Sequence, residues 1–127
     1  MHPLRILIAD DQRDCRESLA RLLRLMGHQV WPVASGEAVR KTAQLLHPNL
    51  ILVDIGMPGV DGYEVARRLR TMDHRAAVIA LSGLATEDDK RKATIAGFDG
   101  HLAKPVSMAT LERLIDNIAA NQLAAVS

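Results

Sequence analysis

The sequence has few aromatic residues, one cysteine and no long apolar run. Its 127 residues contain one phenylalanine, one tyrosine and one tryptophan, so a core built from its 48% hydrophobic residues must be mostly aliphatic. The single cysteine, Cys15, excludes an intramolecular disulfide; this fits a reducing compartment and favours a cytoplasmic location. No apolar run reaches the roughly 18 residues of a membrane span and no signal peptide is recognisable, so we expect no membrane contact by this domain.

An excess of one charge is also lacking. The chain has 16 basic and 15 acidic residues, and the resulting formal net charge of +1 gives no support to direct nucleic-acid binding. The length is that of one domain, which we expect over residues 1–120, with 121–127 as a frayed tail or the start of a linker. The histidines show no metal-ligand spacing, and four of them are expected on the surface: His2, His28, His47 and His74.

Strand and helix patterns alternate five times along the chain, which predicts an α/β fold. The run Leu50–Val53 is apolar throughout, as a central parallel strand buried on both faces requires, and Pro32 favours an edge position for the second strand. We therefore expect a flavodoxin-like (βα)5, doubly wound parallel sheet of five strands in the order 2-1-3-4-5. The predicted strands are Leu4–Ala9, Gln29–Val33, Leu50–Val53, Ala76–Leu81 and His101–Ala103. The predicted helices are Asp14–Met26, Ser35 (as N-cap) to about Leu46, Tyr63–Met72, Thr86–Ala96 and one that begins after an N-cap at Ser107.

The predicted helices differ in their apolar stripes. The fourth helix has a poor stripe, limited mainly to Ala93 and Ile95, so we expect it to be the least stable and the most ready to shift. Gly27 and Gly97 are predicted to end the first and fourth helices. Cys15 lies on the stripe of the first helix and is predicted to be a core residue. The stripe of the last helix is Met108, Leu111, Leu114, Ile115 and Ile118.

Five polar side chains follow the predicted strands at the points where those strands end. They are Asp10, Asp11, Asp54, Ser82 and Lys104. Open α/β sheets carry their chemistry at the carboxyl ends of the strands, so we expect these side chains to meet at one edge. Three carboxylates repel one another, and a hard divalent cation such as Mg²⁺ or Mn²⁺ removes that cost. With Asp54 as nucleophile, and Lys104 and Ser82 as partners for phosphoryl oxygens, the set predicts a cation-dependent phosphoryl-transfer site.

Each of these residues also has an ordinary structural interpretation when taken alone. Asp10 and Asp11 could form a helix N-cap, Asp54 and Ser82 could be turn residues, and Lys104 could be a solvated charge. A functional site is indicated only because all five occur together, each at the end of a predicted strand.

Four segments carry these residues and their neighbours in a specific order and spacing. They are Asp10-Asp11, the stretch from Asp54 to Gly62 (DIGMPGVDG), that from Ala80 to Gly83 (ALSG) and that from Ala96 to Pro105 (AGFDGHLAKP). From about Leu4 to about Ala120 the chain therefore resembles the receiver domain of two-component response regulators. The stretch Gly97–Val106 is similar to receivers of hybrid histidine kinases.

The resemblance implies a phosphoacceptor rather than a substrate-turnover enzyme. It implies that Asp54 accepts a phosphoryl group from a histidine kinase, a histidine phosphotransfer protein or a small phosphodonor, and that the domain promotes only its own phosphorylation and dephosphorylation. It implies Mg²⁺ (or Mn²⁺) on Asp11, Asp54 and the backbone carbonyl of Gly56, with Asp10 acting through water. Lys104 completes the catalytic set, and its bond to Pro105 is expected to be cis.

The resemblance also implies a conformational switch. Ser82 is the expected switch hydroxyl, and its usual partner, Tyr or Phe three residues before the lysine, is replaced here by His101. The switched surface, comprising the fourth helix, fifth strand and fifth helix, is expected to bind a downstream effector protein or domain, and a homodimer is left open. Gly56 and Leu84 stand where many relatives carry polar side chains that position water, so slow loss of the phosphoryl group is expected.

Two other functions compete with this interpretation. A degenerate, unphosphorylated interaction domain is opposed by the complete five-residue set. An aspartate-nucleophile phosphohydrolase also uses aspartate, Mg²⁺ and lysine, but such enzymes usually place an acid where this chain has Gly56, and no substrate-capping insertion is present.

Overall fold

One parallel sheet of five strands, with helices on both faces, organises the chain. The computed structural model describes residues 3–57, 62–72, 76–83 and 86–126, with side chains as far as residue 120. The strands are β1 (Arg5–Ala9), β2 (Gln29–Val33), β3 (Leu50–Asp54), β4 (Ala77–Ser82) and β5 (Gly100–Ala103). The helices are α1 (Arg13–Leu25), α2 (Glu37–Leu46), α3 (Gly62–Thr71), α4 (Glu87–Ala96) and α5 (Met108–Val126). The order β2-β1-β3-β4-β5 confirms the prediction, including the edge position of the strand that carries Pro32.

The sheet separates two aliphatic cores because successive side chains of a strand point to opposite faces. Leu7, Ile51 and Val53 face the core that also contains buried residues of α2, α3 and α4. Ile6 and Leu52 face the core that contains buried residues of α1 and α5. All five residues of β3 are buried, which is why its sequence is apolar until its last position.

Several predicted helix ends are confirmed and one is wrong. Gly27 (φ +95°) and Gly97 (φ +108°) adopt the left-handed conformation that ends a helix readily at glycine. The hydroxyl of Ser107 accepts a hydrogen bond from the amide of Thr110 (3.2 Å), as an N-cap does. The predicted cap at Ser35 is wrong, because Gly36 is the N-cap of α2 and no side chain caps this helix.

For three side chains the predicted exposure is wrong: Ile95 and Met108 are exposed rather than buried, and His28 is buried rather than exposed. At about 100° per residue, Ile95 lies about 200° around α4 from Ala93, so Ile95 is 79% exposed and the helix is anchored by Ala93 and Ala96. Met108 is the first residue of α5, one turn before the buried Leu111, and is 41% exposed. His28 is buried, and its Nδ1 accepts a hydrogen bond from the amide of Leu4 (3.0 Å).

Some predictions fall outside what the structure describes. His2 and His74 lie outside the described residues, whereas His47 is exposed as predicted. The helix α5 continues to Val126, and the predicted domain boundary at residue 120 stays a prediction. Within the described residues, every helix is too short or too polar to cross a membrane.

Candidate functional site

The carboxyl ends of four strands bring the predicted site residues to one edge of the sheet. Asp10 directly follows β1, and Asp54 is the last residue of β3. Ser82 is the last residue of β4 and pairs in register with Ala103, the residue before Lys104. Each of these polar residues lies at or just after the carboxyl end of an apolar strand, and Asp10, Asp54 and Ser82 stay buried there.

Lys104 lies between two of the buried aspartates. Its Nζ donates to Oδ2 of Asp10 at 2.9 Å and to Oδ2 of Asp54 at 3.0 Å. The Lys104 side chain is 14% exposed, and Asp10 is fully buried. The backbone amide of Lys104 donates to the carbonyl of Ser82 (2.9 Å), and the peptide bond to Pro105 is cis, as the resemblance implied. The ammonium is therefore held at the centre of the site by both backbone and side-chain contacts.

Three carboxylates form the acidic part of the site. One oxygen from each of Asp10, Asp11 and Asp54 lies within 4.8 Å of the others, with Asp11 exposed and the other two buried. The single ammonium of Lys104 does not neutralise three carboxylates, so the cluster retains negative charge. An all-oxygen donor set with uncompensated charge fits a hard divalent cation such as Mg²⁺ or Mn²⁺.

Gly56 lies against the carboxylate of Asp54. Its amide donates to Oδ1 of Asp54 at 2.8 Å, and a Cβ at Gly56 would lie 3.4 Å from the same oxygen. One oxygen of Asp54 is thus held by a backbone amide and the other by an ammonium, which fixes the orientation of the carboxylate. The loop is described as far as Met57, and Leu84, with its predicted effect on phosphoryl loss, lies outside the described residues.

The charges of the site are stabilised by their neighbours. Burial raises the pKa of Asp10, but hydrogen bonds from Lys104 and from the amide of Gln12, together with the interaction with the thiol of Cys15, outweigh burial and hold that pKa below its ordinary value. Burial lowers the pKa of Lys104, but its bonds to Asp10 and Asp54 outweigh burial and raise that pKa. Asp10 and Lys104 therefore stay ionised at neutral pH.

Two neighbours of Asp10 were missed at the sequence level. The thiol of Cys15 interacts with the Asp10 carboxylate, and burial and this carboxylate raise the pKa of Cys15 to about 11. Nη1 of Arg16 donates to the backbone carbonyl of Asp10 at 2.9 Å. Cys15 and Arg16 lie near the start of the helix that follows Asp10, and this position could have indicated contact with it. For Cys15, the place on the apolar stripe suggested only a core role.

The two predicted switch residues lie on neighbouring strands. Ser82 is 8% exposed at the end of β4. His101 lies on β5, and since Leu102 packs into the core of α1 and α5, the alternation of the strand directs His101 to the α4 side. Its Nε2 is buried and has no hydrogen-bond partner among the described residues.

Comparison with known proteins finds similarity over most of the chain. Residues 6–116 match the family model of the response regulator receiver domain. The chain is 38% identical over 107 residues to the transcriptional regulatory protein PrrA of Mycobacterium tuberculosis, covering 84% of this chain and 46% of PrrA. It is 32% identical over 109 residues to the sensor protein EvgS of Escherichia coli, covering 86% of this chain but 9% of EvgS.

A solved structure agrees with these sequence matches. The crystal structure of a putative response regulator from Chloroflexus aurantiacus is 30% identical, with a TM-score of 0.87 over 94% of this chain and 99% of that one. The chain spans less than half the length of the two curated relatives named above, so what it shares with them is one domain. With most of its length matched by the family model, the chain belongs to the response regulator receiver domain family.

Proposed function

We propose that this domain accepts a phosphoryl group on Asp54 in a reaction that depends on a divalent cation. The observation that carries the proposal is the ammonium of Lys104 between Asp10 and Asp54, beside three carboxylates whose oxygens lie within 4.8 Å of one another. The proposed donor is the phosphohistidine of a histidine kinase or histidine phosphotransfer protein, or a small phosphodonor.

The reaction is a direct transfer between two side chains. An oxygen of the Asp54 carboxylate attacks phosphorus while the bond from phosphorus to the donor imidazole nitrogen breaks, and that nitrogen keeps the electron pair. Phosphoryl transfer needs mainly positioning and charge neutralisation. The Gly56 amide and the Lys104 ammonium hold the two oxygens of Asp54 before transfer. Lys104 is also close enough to pair with the negative charge of the phosphoryl group after transfer.

The cation would be held by Asp11, Asp54 and the backbone carbonyl of Gly56, with Asp10 acting through water. When bound, Mg²⁺ or Mn²⁺ supplies positive charge that neutralises the phosphoryl oxygens. The hydroxyl of Ser82 is the proposed partner of another phosphoryl oxygen. With Gly56 lacking a side chain that could orient water, we expect slow hydrolysis of the aspartyl phosphate.

The proposed output is a change in the surface formed by α4, β5 and α5. Ile95 and Met108 are large apolar side chains exposed on α4 and α5, which suits contact with a downstream effector protein or domain. The domain would promote only its own phosphorylation and dephosphorylation, without direct nucleic-acid binding. The cytoplasmic location expected from the sequence belongs to this proposal.

The proposal is tested by incubating the protein with acetyl phosphate and Mg²⁺ and measuring its intact mass. We expect the mass of one added phosphoryl group, which disappears without Mg²⁺ and in Asp54→Asn. The matched control is Asp116→Asn, which removes an exposed carboxylate from α5 and should leave the adduct unchanged.

Two results would contradict the proposal. An absence of adduct under trapping conditions would favour a degenerate interaction domain. Rapid release of phosphate with no detectable adduct would favour an aspartate-nucleophile phosphohydrolase.

A further inference from the structure

The imidazole of His101 occupies an unusual position for a titratable group. It lies between β5 and α4, partly buried, and its Nε2 is inaccessible to solvent with no hydrogen-bond partner among the described residues. A neutral imidazole tolerates this position at modest cost, since one ring nitrogen can stay unprotonated. An imidazolium carries a proton on both nitrogens, so its Nε2–H would be a charged donor without an acceptor.

Among the residues that the structure describes, the charged groups that act on His101 come from one element. The neighbouring strand β4, with the sequence AVIALS, carries no ionisable side chain, and α5 packs on the other face of the sheet against Leu102. From α4, Lys90 and Asp89 act on the imidazole. Burial lowers the pKa of His101, Lys90 lowers it further, and Asp89 opposes both effects.

The helix α4 is held more firmly at its C-terminal end than at the end that carries Asp89 and Lys90. Nε of Arg70 donates to the carbonyl of Gly97 at 2.8 Å, and Arg70 also pairs with Asp99. The buried residues of α4, Ala93 and Ala96, lie in its second half. In the N-terminal half, the hydroxyl of Thr86 caps the helix by accepting from the amide of Asp89 (3.1 Å), and the ion pairs Lys90–Glu87 and Lys92–Asp88 lie within the helix itself.

We propose that His101 makes the α4–β5 surface proton-sensitive: the neutral imidazole packs under α4, whereas the imidazolium leaves this position for solvent and loosens the N-terminal half of α4. Above about pH 6.5, the ordinary pKa of histidine, the inward position is not opposed by protonation. As the pH falls below that value, the population of the outward position increases, because only there can the ring bind a proton without leaving a buried charged donor unpaired. The link of this equilibrium to phosphorylation rests on the proposed function; the proton-sensitive position itself does not.

The test is an NMR titration of the histidine ring protons and of the α4 backbone amides between about pH 5 and about pH 8. We expect His101 to titrate below its ordinary value of about 6.5 and the amides of the first half of α4 to shift with the same midpoint. His101→Phe keeps a planar ring but cannot titrate, so it should abolish the amide shifts and identify the His101 signal. An ordinary midpoint for His101, or α4 shifts that persist in His101→Phe, would overturn the proposal.

A second arm repeats the titration with a beryllium fluoride adduct in place of the phosphoryl group, and fluorine NMR reports whether the adduct forms. If Ser82 moves towards the adduct and His101 packs more deeply, the pKa of His101 falls further, because coupling between two sites is reciprocal. An adduct that leaves the His101 midpoint unchanged would overturn the proposed link. Failure to form any adduct, together with a lowered His101 midpoint, would contradict the proposed function and support the proton-sensitive position.

Discussion

The ammonium of Lys104 lies 2.9 Å from Oδ2 of Asp10, a residue 94 positions earlier in the chain. The contact joins the ends of β1 and β5, the second of which is an edge strand of the sheet. Because Asp10 is fully buried, its charge depends on this partner in the absence of a cation. The same ammonium that would neutralise a phosphoryl group therefore also stabilises the fold.

Replacing Lys104 with Met should destabilise the protein and increase its response to Mg²⁺. The variant leaves a buried carboxylate unpaired, which costs about 3 kcal/mol of unfolding free energy when a chelator is present. Added Mg²⁺ should restore more stability than it adds to the unchanged protein, because the carboxylates then attract the cation without competition from the ammonium. Urea unfolding with and without Mg²⁺ measures both effects.

The control for this experiment is Lys41→Met, which removes an exposed lysine on α2. It should change stability by less than about 0.5 kcal/mol and leave the response to Mg²⁺ as it was. An equal response to Mg²⁺ in the Lys104 and Lys41 variants would show that Lys104 and the cation do not share the carboxylates.

His28 should make stability depend on pH. Burial lowers the pKa of His28, and its Nδ1 is occupied by the Leu4 amide (3.0 Å), so the folded state binds a proton less readily than the unfolded state. Its contribution is therefore complete above the unfolded pKa of about 6.5 and is lost as the pH falls below that value. His28→Gln, which keeps a hydrogen-bond acceptor, should reduce the loss of unfolding free energy between about pH 7.5 and pH 5.5.

The matched control is His47→Gln at an exposed position, which should keep the pH dependence of the unchanged protein. Urea unfolding at the two pH values gives the comparison. A pH dependence that is identical in the His28 variant and the unchanged protein would contradict a buried, neutral His28.

Two glycines at helix ends should respond differently to alanine. Gly27 and Gly97 both have positive φ, but a Cβ at Gly27 meets nothing within 4 Å, whereas one at Gly97 would lie 2.8 Å from Cγ of Arg70. Gly27→Ala should cost about 1 kcal/mol for the backbone conformation alone. Gly97→Ala should cost about 1 kcal/mol more, because Arg70 must move from its contacts. Equal losses in thermal unfolding would mean that Arg70 adjusts freely.

The exposed position of Ile95 predicts a neutral substitution. Ile95→Ser should change the unfolding free energy by less than about 0.5 kcal/mol, since the side chain is 79% exposed. Ala93→Leu, on the buried face of the same helix, should cost about 1–3 kcal/mol through overpacking. Melting temperatures in the opposite order would restore the original prediction that Ile95 is part of the buried stripe.

The sheet order and the gathering of the polar site could be predicted because both follow from local patterns. An apolar run such as Leu50–Val53 indicates a buried strand, and a polar residue that ends the run lies at the sheet edge. The burial of His28 and the interaction of Cys15 with Asp10 could not be predicted this way, because each depends on a contact that forms only in the folded chain. For Ile95 the error lay in its angular position on the helix. A large apolar residue suggested burial, but Ile95 lies on the opposite face of α4 from the buried Ala93.

The central claim is that Asp54, and neither of its acidic neighbours, carries the phosphoryl group. Treating the acetyl-phosphate-labelled protein with borohydride converts an aspartyl phosphate to homoserine, and peptide mass spectrometry then locates that residue. We predict homoserine at position 54, present only when Mg²⁺ was included in the labelling. Homoserine at position 10 or 11, or its absence from a protein shown to be labelled, would contradict the account.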